Sequence, residues 1–257
     1  MLRQDFTKKS LLRVTTINEI IKYSLGRDSS EYEKILESYS NKITADDFCF
    51  SSIEKKEING KTVYFANVPE EHYALKKISH DIKRLYKIKT QIRDDICEQV
   101  LRLLETTSSY GIIKIDIKSF YESISYEKIL EKLERDKLLS SKSIMLLKTL
   151  SRLNFIGLPR GLSLSPVLSE IFMRDIDEGI KEIPGVYYYS RYVDDIFILT
   201  TKRHETIFER IREILFQAKI NINKKTFVKD ISEAASSQNN TISFDYLGYK
   251  YNITNKL

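Results

Sequence analysis

The sequence predicts an α+β fold in which an antiparallel sheet is backed by helices on one face. Segments with apolar residues at helical spacing are interspersed with short alternating segments, in the order strand, helix, helix, hairpin, helix, strand. That order differs from the regular strand–helix alternation of a doubly wound sheet. The chain has 257 residues, 42% of them hydrophobic, which suffices for a sizeable core in one large or two small domains.

The first part of the chain, residues 1 to about 110, is predicted to be mostly helical and charged. One exception is the alternating run Lys61–Ala66, which follows the turn signal Asn59-Gly60 and is typical of a hairpin strand. From Gln91 onwards, apolar residues recur at helical spacing. This spacing predicts one long amphipathic helix.

The hydrophobic period changes to that of a strand at residues 111–117. Apolar residues alternate there with Lys114 and Asp116, as in a half-buried strand. A helix is predicted directly after this strand. Further on, residues 157–165 form a glycine-containing loop, and Pro166 lies in the first turn of the next helix.

The strongest β signal covers residues 186–200, where two β-rich runs flank the acidic pair Asp194-Asp195. This pattern predicts a hairpin with both aspartates at its tip. A further helix is predicted after the hairpin. It is followed by a basic segment at residues 224–227 and a final β-like stretch from Ile242 to Tyr251.

Composition excludes several classes of protein. The sequence has no apolar segment long enough to cross a membrane. It also has no secretory signal. The three histidines are isolated, which gives little support to hydrolytic zinc chemistry or a Ser-His-Asp site. Cys49 and Cys97 have no metal-ligand spacing and are expected to be buried thiols in a reducing compartment. The net charge of +6 mildly favours a polyanionic partner.

The dipeptide Asp-Asp occurs three times, in different surroundings. Asp46-Asp47 lies in a polar segment and is expected to be solvated. Asp94-Asp95 is expected in the first turn of the long helix, where carboxylates interact favourably with the helix dipole. Apolar strands bracket Asp194-Asp195, and desolvating two adjacent carboxylates is unfavourable unless cations compensate them. An ordinary acidic turn is the alternative, because Asp is a common turn residue.

Asp116 favours the functional interpretation of the acidic hairpin. It also follows an apolar strand and precedes a helix. Two strands that each bring a carboxylate to one edge of a sheet can bind a pair of Mg²⁺ ions roughly 3.5–4 Å apart. Such ions prefer oxygen ligands and substrate phosphates. The predicted chemistry is in-line phosphoryl transfer with pyrophosphate as the leaving group.

Five segments of the chain resemble the conserved motifs of reverse transcriptases. In order, they are Asp116–Ile124, Gly157–Pro166 and Tyr192–Asp195 for motifs A, B and C, Lys224–Thr226 for motif D, and Phe244–Tyr249 for motif E. The resemblance extends from about residue 80 to residue 251. Within the family, the motifs are most similar to those of bacterial abortive-infection and antiphage-defence members. Retron and group II intron enzymes are more distant relatives.

The resemblance implies a right-hand polymerase fold with mainly helical fingers. Residues 1–110 and 127–156 would form the fingers, and residues 111–126 and 157–257 would form the palm with its antiparallel sheet. A thumb would be lacking, because few residues follow motif E. We therefore expect a longer protein, a partner subunit that replaces the thumb, or low processivity.

The resemblance also implies a set of site residues. Asp116, Asp194 and Asp195 would be the catalytic and metal-binding carboxylates, together with the backbone carbonyl of Ile117. The cofactor would be two Mg²⁺ ions, with Mn²⁺ as a substitute. The nucleotide-binding residues would be Phe120, Tyr121, Arg160, Gly161, Lys225 and Arg84. The partners would be dNTPs and an RNA or DNA template-primer, in the bacterial cytoplasm.

Three of these residues have simpler alternative interpretations. Tyr121 would exclude a 2′-hydroxyl from the nucleotide site, but it could instead be a core aromatic. Lys225 would lie near the triphosphate, but exposed lysines are common. Arg84 would grip the triphosphate among neighbouring basic residues, yet a basic segment is usually a solvated surface. Those neighbours are Lys76, Lys77, Lys83, Lys87, Lys89 and Arg93.

The chain departs from the family pattern at Arg160, where motif B usually has Gln. Arginine adds a permanent charge and can only donate hydrogen bonds. This departure favours an alternative in which the same site synthesises DNA without a template or from a protein primer. Two further alternatives are an inactive scaffold that binds nucleic acid and a nucleotide cyclase. The motif B segment and Tyr121 have no evident role in a cyclase.

Overall fold

The computed structural model describes residues 3–105, 109–201, 204–231 and 242–253. The helices are α1 Lys8–Leu12, α2 Ile17–Lys22, α3 Ser29–Thr44, α4 Pro69–Leu85, α5 Arg93–Leu104, α6 Phe120–Ser123, α7 Tyr126–Asp136, α8 Ser141–Ser151, α9 Leu164–Lys181 and α10 His204–Gln217. The strands are β1 Ile53–Ile58, β2 Lys61–Ala66, β3 Tyr110–Asp116, β4 Val186–Tyr192, β5 Asp195–Thr200, β6 Phe227–Ile231, β7 Ile242–Tyr246 and β8 Tyr249–Ile253. In these ranges, every helix is too short or too polar to cross a bilayer.

The chain divides into two compact units. The first unit comprises Met1–Ile88 and Ile124–Ile171, and the second comprises Lys89–Ser123 and Phe172–Leu257. The paired strands are antiparallel, and helices are interspersed with them along the chain, so the predicted α+β fold class is confirmed.

The first unit is mainly helical. Helix α3 packs against α1 and α4, and α7 packs against α8. Strands β1 and β2 form the predicted hairpin, with Ile53 opposite Ala66. Its turn residues Asn59 and Gly60 have φ angles of 52° and 70°. Such positive values are typical of the two-residue turns that Asn-Gly favours.

Two buried ionic groups connect the helices of the first unit. Lys77 and Asp81 form an ion pair one turn apart on α4, with side chains 3% and 0% exposed. The Lys77 ammonium also donates a hydrogen bond to the Arg3 carbonyl at 3.0 Å. Glu19 on α2 accepts hydrogen bonds from Lys76 of α4 at 2.5 Å and from the Thr16 backbone at 2.8 Å. Charged side chains therefore link α2 and the N-terminal segment to α4.

The stability of the first unit should depend on pH through Glu19. Burial alone would raise its pKa, but hydrogen bonds from Lys76, Thr16 and His72 outweigh burial and lower the pKa to about 2. The folded state therefore holds this carboxylate ionised at pH values where the unfolded chain binds a proton. The resulting stabilisation is complete above the ordinary pKa of 4.5 and is lost as pH falls towards 2.

Glu19→Gln is thus expected to lower the free energy of unfolding by about 2 kcal/mol near neutral pH, since solvent screens part of the interaction. The difference from wild type should vanish near pH 2. Urea denaturation at several pH values measures both quantities. Glu37→Gln, at an exposed glutamate paired with Lys8, should change stability by less than about 1 kcal/mol. An equal loss at all pH values would contradict the prediction.

The second unit contains a four-stranded antiparallel sheet in the order β4-β5-β3-β6. One face of this sheet carries Ile112, Phe197 and Leu199, which belong to a buried cluster with residues of α5, β7 and β8. Helix α10 lies against β3 and β6. Gly111 precedes Ile112 in β3 and therefore projects to the other face of the sheet. A Cβ at Gly111 would lie 2.6 Å from the Cβ of His204, the first residue of α10. Helix α10 therefore begins on the face opposite the buried cluster. The expected arrangement, with helices on one face only, is wrong.

Other expectations need correction as well. The final β-like stretch is a hairpin of β7 and β8 rather than a single strand, with its turn at Leu247 and Gly248. Cys49 is exposed and Cys97 is half-buried, so the prediction of two buried thiols is wrong. The solvated environment expected for Asp46-Asp47 is confirmed. So is the position of Asp94-Asp95 in the first turn of α5.

Candidate active site

Asp116 and Asp195 face each other across neighbouring strands of the second unit. In the antiparallel register of β3 and β5, Asp116 is the direct partner of Asp195. Directly opposed residues project to the same face of a sheet, with Cβ atoms about 4.5–5.5 Å apart. The amide of Ile117 donates a hydrogen bond to the carbonyl of Asp194 at 3.1 Å. The structure therefore brings the three predicted aspartates to one end of the β3–β5 pair.

Asp194 lies in a strained two-residue turn. Tyr192 and Asp195 are paired across β4 and β5, which leaves Val193 and Asp194 as the turn. Val193 has a φ angle of 57°, a value that favours glycine at the first position of a type II′ turn. A β-branched residue in this conformation costs about 1–3 kcal/mol and persists only when its surroundings hold it.

The carboxyl group of Asp195 experiences electrostatic repulsion from its neighbours. Burial raises the pKa of its carboxyl group, and the neighbouring carboxylates of Asp194 and Asp116 add to this effect. The cations Lys114 and Lys225 partly oppose it. A carboxyl group whose ionised form is disfavoured by two neighbouring carboxylates offers oxygen donors that suit a divalent cation such as Mg²⁺.

The aspartates are an incomplete ligand set by themselves. The residues that the structure describes contain no group of three or more His, Cys, Asp or Glu side chains that could hold a metal ion. Mg²⁺ usually keeps several waters and is bound through one or two carboxylates and substrate phosphates. The arrangement therefore fits an ion that shares its coordination with a phosphorylated substrate.

Two residues near the aspartates were not predicted from the sequence to be functional. Asn223 donates hydrogen bonds to Asp116 from its backbone amide at 2.7 Å and from its Nδ2 atom at 3.3 Å to Oδ1. In the sequence, the only indication of a functional role for Asn223 is its position directly before the basic segment, and that indication is weak. The sequence indicates a role for Lys114 more clearly, because Lys114 lies two residues before Asp116 and therefore on the same face of β3.

The backbone around Ile117 is held on two sides. Besides its bond to Asp194, Ile117 forms an isolated antiparallel bridge with Ile222. The flanking bond runs from the Lys118 amide to the Asn221 carbonyl at 2.8 Å. The predicted role of the Ile117 carbonyl as a metal ligand stays a prediction.

Phe120 and Tyr121 lie in the short helix α6, which begins four residues after Asp116. Phe120 is buried, whereas Tyr121 is half-buried. Their rings are 5.2 Å apart in an edge-on arrangement. The hydroxyl of Ser123 donates to the Phe120 carbonyl at 2.8 Å and closes this turn. Phe120 thus anchors α6, and Tyr121 is the more accessible of the two rings.

Arg160 and Gly161 belong to the first unit, where they lie beside β2. The Tyr64 amide donates to the Arg160 carbonyl at 2.7 Å. Gly161 has a φ angle of 99°, and a Cβ there would lie 2.6 Å from the Tyr64 carbonyl oxygen. Only glycine permits this approach without strain. The buried Ser165 hydroxyl donates to the Pro159 carbonyl at 2.6 Å, which fixes the loop from within.

The basic segment around Arg84 is only partly available to a ligand. Arg84 is exposed at the end of α4, as are Lys83, Lys87 and Lys89 nearby. Lys76 and Lys77 are instead paired with Glu19 and Asp81. Arg93 donates from Nε to the Leu247 carbonyl at 2.9 Å. Lys76, Lys77 and Arg93 therefore have partners within the protein, and the role of Arg84 in binding a triphosphate stays a prediction.

Lys225 lies in the second unit, in the turn before β6, and is exposed. Its positive charge opposes the rise in the pKa of the Asp195 carboxyl group. Of the predicted nucleotide-binding residues, Lys225 is thus associated with the aspartates. Arg84, Arg160 and Gly161 belong to the first unit.

Comparison with known families assigns most of the chain to one of them. Residues 64–251, more than half of the 257 residues, match the family described as reverse transcriptase (RNA-dependent DNA polymerase). A search of curated proteins gave no match. This match supports nucleotidyl transfer of the reverse transcriptase type. The chain belongs to the reverse transcriptase family.

Proposed function

We propose that the chain is a DNA polymerase that adds dNTPs to a 3′-hydroxyl, with its active site at Asp116, Asp194 and Asp195. The observation that carries this proposal is the cross-strand pairing of Asp116 with Asp195 beside the Asp194 turn. In the reaction, the 3′-oxygen attacks the α-phosphorus, the bond to the bridging oxygen breaks and pyrophosphate leaves.

Each predicted residue has a specific task in this reaction. The three carboxylates and the Ile117 carbonyl would hold two divalent cations, Mg²⁺ or Mn²⁺. When bound, these ions stabilise the charge that develops on the phosphates and lower the pKa of the attacking hydroxyl. Lys225 binds the triphosphate or donates its Nζ proton to the leaving pyrophosphate. Asn223 keeps Asp116 in position through its two hydrogen bonds.

The remaining residues bind the nucleotide and template. Tyr121 lies under the incoming sugar and excludes a 2′-hydroxyl, and Phe120 supports it. Arg84 contacts the triphosphate. Gly161 permits a close backbone approach, and Arg160 donates hydrogen bonds beside the template. In this proposal the palm comprises residues 111–126 and 157–257, and the fingers comprise residues 1–110 and 127–156.

The proposed setting is antiphage defence in the bacterial cytoplasm. It rests on the resemblance of four segments to those of defence-associated members, namely Ser119–Ile124, Leu158–Gly161, Leu168–Met173 and Tyr189–Asp195. Infection of cells that carry the gene, with and without an intact Asp194 codon, tests this role. Equal phage yields from both strains would contradict it.

Primer extension tests the polymerase activity directly. The purified protein is given labelled dNTPs, Mg²⁺ or Mn²⁺, and primed RNA or DNA templates. Extension that needs a template and yields its complement supports the proposal. The same reactions without template or primer serve as controls. Failure of incorporation under every priming condition would contradict the proposal and favour an inactive nucleic-acid-binding scaffold.

Synthesis without a template, or from a protein primer, is the second candidate function. It is favoured by Arg160, which stands where the family usually has a neutral glutamine. Sequencing of the product discriminates between the two functions. Products complementary to the supplied template would exclude the untemplated version, whereas random or low-complexity products formed without template would support it.

Replacement of Tyr121 tests the nucleotide site. Tyr121→Val is expected to increase rNTP incorporation relative to dNTP incorporation by about tenfold to a hundredfold, because the smaller side chain leaves room for the 2′-hydroxyl. Single-nucleotide extension with each substrate measures this ratio. The control is Tyr187→Val, at an exposed tyrosine of β4 in the same unit. An unchanged ratio in the Tyr121 variant would assign this ring to packing alone.

A further inference from the structure

Arg191 and Asp177 form a buried ion pair in the second unit. Their side chains are 5% and 16% exposed. The guanidinium donates from Nε to Oδ1 at 2.9 Å and from Nη2 to Oδ2 at 2.8 Å, which is a bidentate arrangement. The Tyr189 hydroxyl donates to the same Oδ1 atom at 2.6 Å. Asp177 on α9 is therefore a fixed anchor for Arg191 on β4.

The third nitrogen of Arg191 reaches the turn that contains Asp194. Its Nη1 atom donates to the carbonyl of Val193 at 3.1 Å. This carbonyl belongs to the central peptide of the turn, whose orientation distinguishes one two-residue turn type from another. The peptide also joins strained Val193 to Asp194. One guanidinium thus connects this peptide to α9.

We propose that Arg191 is a positioning residue of the active site, which holds the Val193–Asp194 peptide in place and thereby directs the Asp194 carboxylate. Its catalytic consequence rests on the proposed polymerase function, whereas its effect on the turn does not. Lysine cannot replace arginine here. A single ammonium group lacks the planar fork that bonds both oxygens of Asp177 while a third nitrogen bonds Val193.

The test compares Arg191→Lys with wild type by two measurements. The first is hydrogen exchange of the Ile117 amide, followed by NMR, because this amide donates to the Asp194 carbonyl. We expect its exchange to accelerate at least about tenfold in the variant. The second is primer extension, in which kcat should fall about tenfold to a hundredfold. The Mg²⁺ concentration for half-maximal activity should rise while the KM for dNTP changes little.

Two further variants make the test decisive. Arg212→Lys, at an exposed arginine paired with Glu209 on α10, is the matched control and should leave both measurements unchanged. Asp177→Asn removes the anchor charge and should reproduce the effects of Arg191→Lys. A wild-type exchange rate at Ile117 in both folded variants would overturn the inference. So would loss of folding in both, since Arg191 would then be a structural residue only.

The two proposals can fail separately. Absence of dNTP incorporation by the wild-type protein would contradict the polymerase function, yet the exchange measurement would still decide whether Arg191 holds the turn. Conversely, an active wild type with an unchanged Ile117 exchange rate in the Arg191 and Asp177 variants would contradict only the positioning role.

Discussion

Asp194→Asn is expected to reduce dNTP incorporation by about 10³-fold or more. The carboxamide has nearly the size of the carboxylate but carries no charge, so the proposed metal site would lose one anionic oxygen ligand. Metal ligation contributes several kcal/mol of transition-state stabilisation, and each 1.36 kcal/mol corresponds to about tenfold in rate. Single-turnover primer extension at saturating Mg²⁺ measures the loss.

The fold should survive this change. The carbonyl of Asp194, which accepts the hydrogen bond from Ile117, is still present in asparagine. Removing one charge also relieves the repulsion that raises the pKa of Asp195. We therefore expect thermal stability in the absence of metal to be unchanged or slightly higher. A large loss of stability would mean that reduced activity reflects misfolding.

The chain offers a matched control in a second Asp-Asp dipeptide. Asp94→Asn makes the same chemical change at an exposed position in the first turn of α5, within the same unit. It should leave incorporation within about twofold of wild type and lower stability by about 0.3–1 kcal/mol through the helix dipole. Similar activities of the Asp194 and Asp94 variants would contradict the assignment of the active site.

The parts of the fold that were predictable from sequence are those with local causes. The acidic hairpin was predictable because two β-rich runs flank the Asp194-Asp195 break. The prediction that both aspartates lie at its tip is wrong by one residue, because the turn is at Val193 and Asp194 and Asp195 begins β5. The strand at Tyr110–Asp116 followed from period-two alternation. The β1–β2 hairpin followed from Asn59-Gly60, whose residues tolerate positive φ angles.

Unusual turn chemistry explains one failure. The β7–β8 turn places Leu247 at a φ angle of 48° and Gly248 at 79°. Leucine is a poor turn residue, so the sequence looked like a continuous strand. The turn is supported from outside, because Arg93 donates to the Leu247 carbonyl across 154 residues of sequence. No local pattern contains that information.

Long-range partners explain the failures at the candidate site and in the basic segment. Asn223 bonds Asp116 from 107 residues away, and only the register of the sheet brings them together. Lys76 and Lys77 looked like members of a solvated basic surface, because lysine is usually exposed. Their acidic partners Glu19 and Asp81 turn them inward instead.

The second large effect is expected from Asp81→Asn, in the first unit. This change leaves the Lys77 ammonium buried without its carboxylate partner, and breaking a buried pair typically costs about 3–5 kcal/mol. The Arg3 carbonyl, 3.0 Å from the ammonium, cannot neutralise its charge. Urea denaturation followed by circular dichroism should show a lower midpoint with little change in slope.

Two comparisons separate the lost charge partner from a general sensitivity of the chain to substitution. Glu209→Gln breaks an exposed pair with Arg212, with side chains 63% and 56% exposed, and should cost about 1 kcal/mol or less. The double change of Lys77→Met and Asp81→Leu removes both charges and should recover most of the stability lost in Asp81→Asn, because an apolar pair of similar volume needs no ionic partner. A double variant less stable than Asp81→Asn would show that the ion pair itself stabilises the fold.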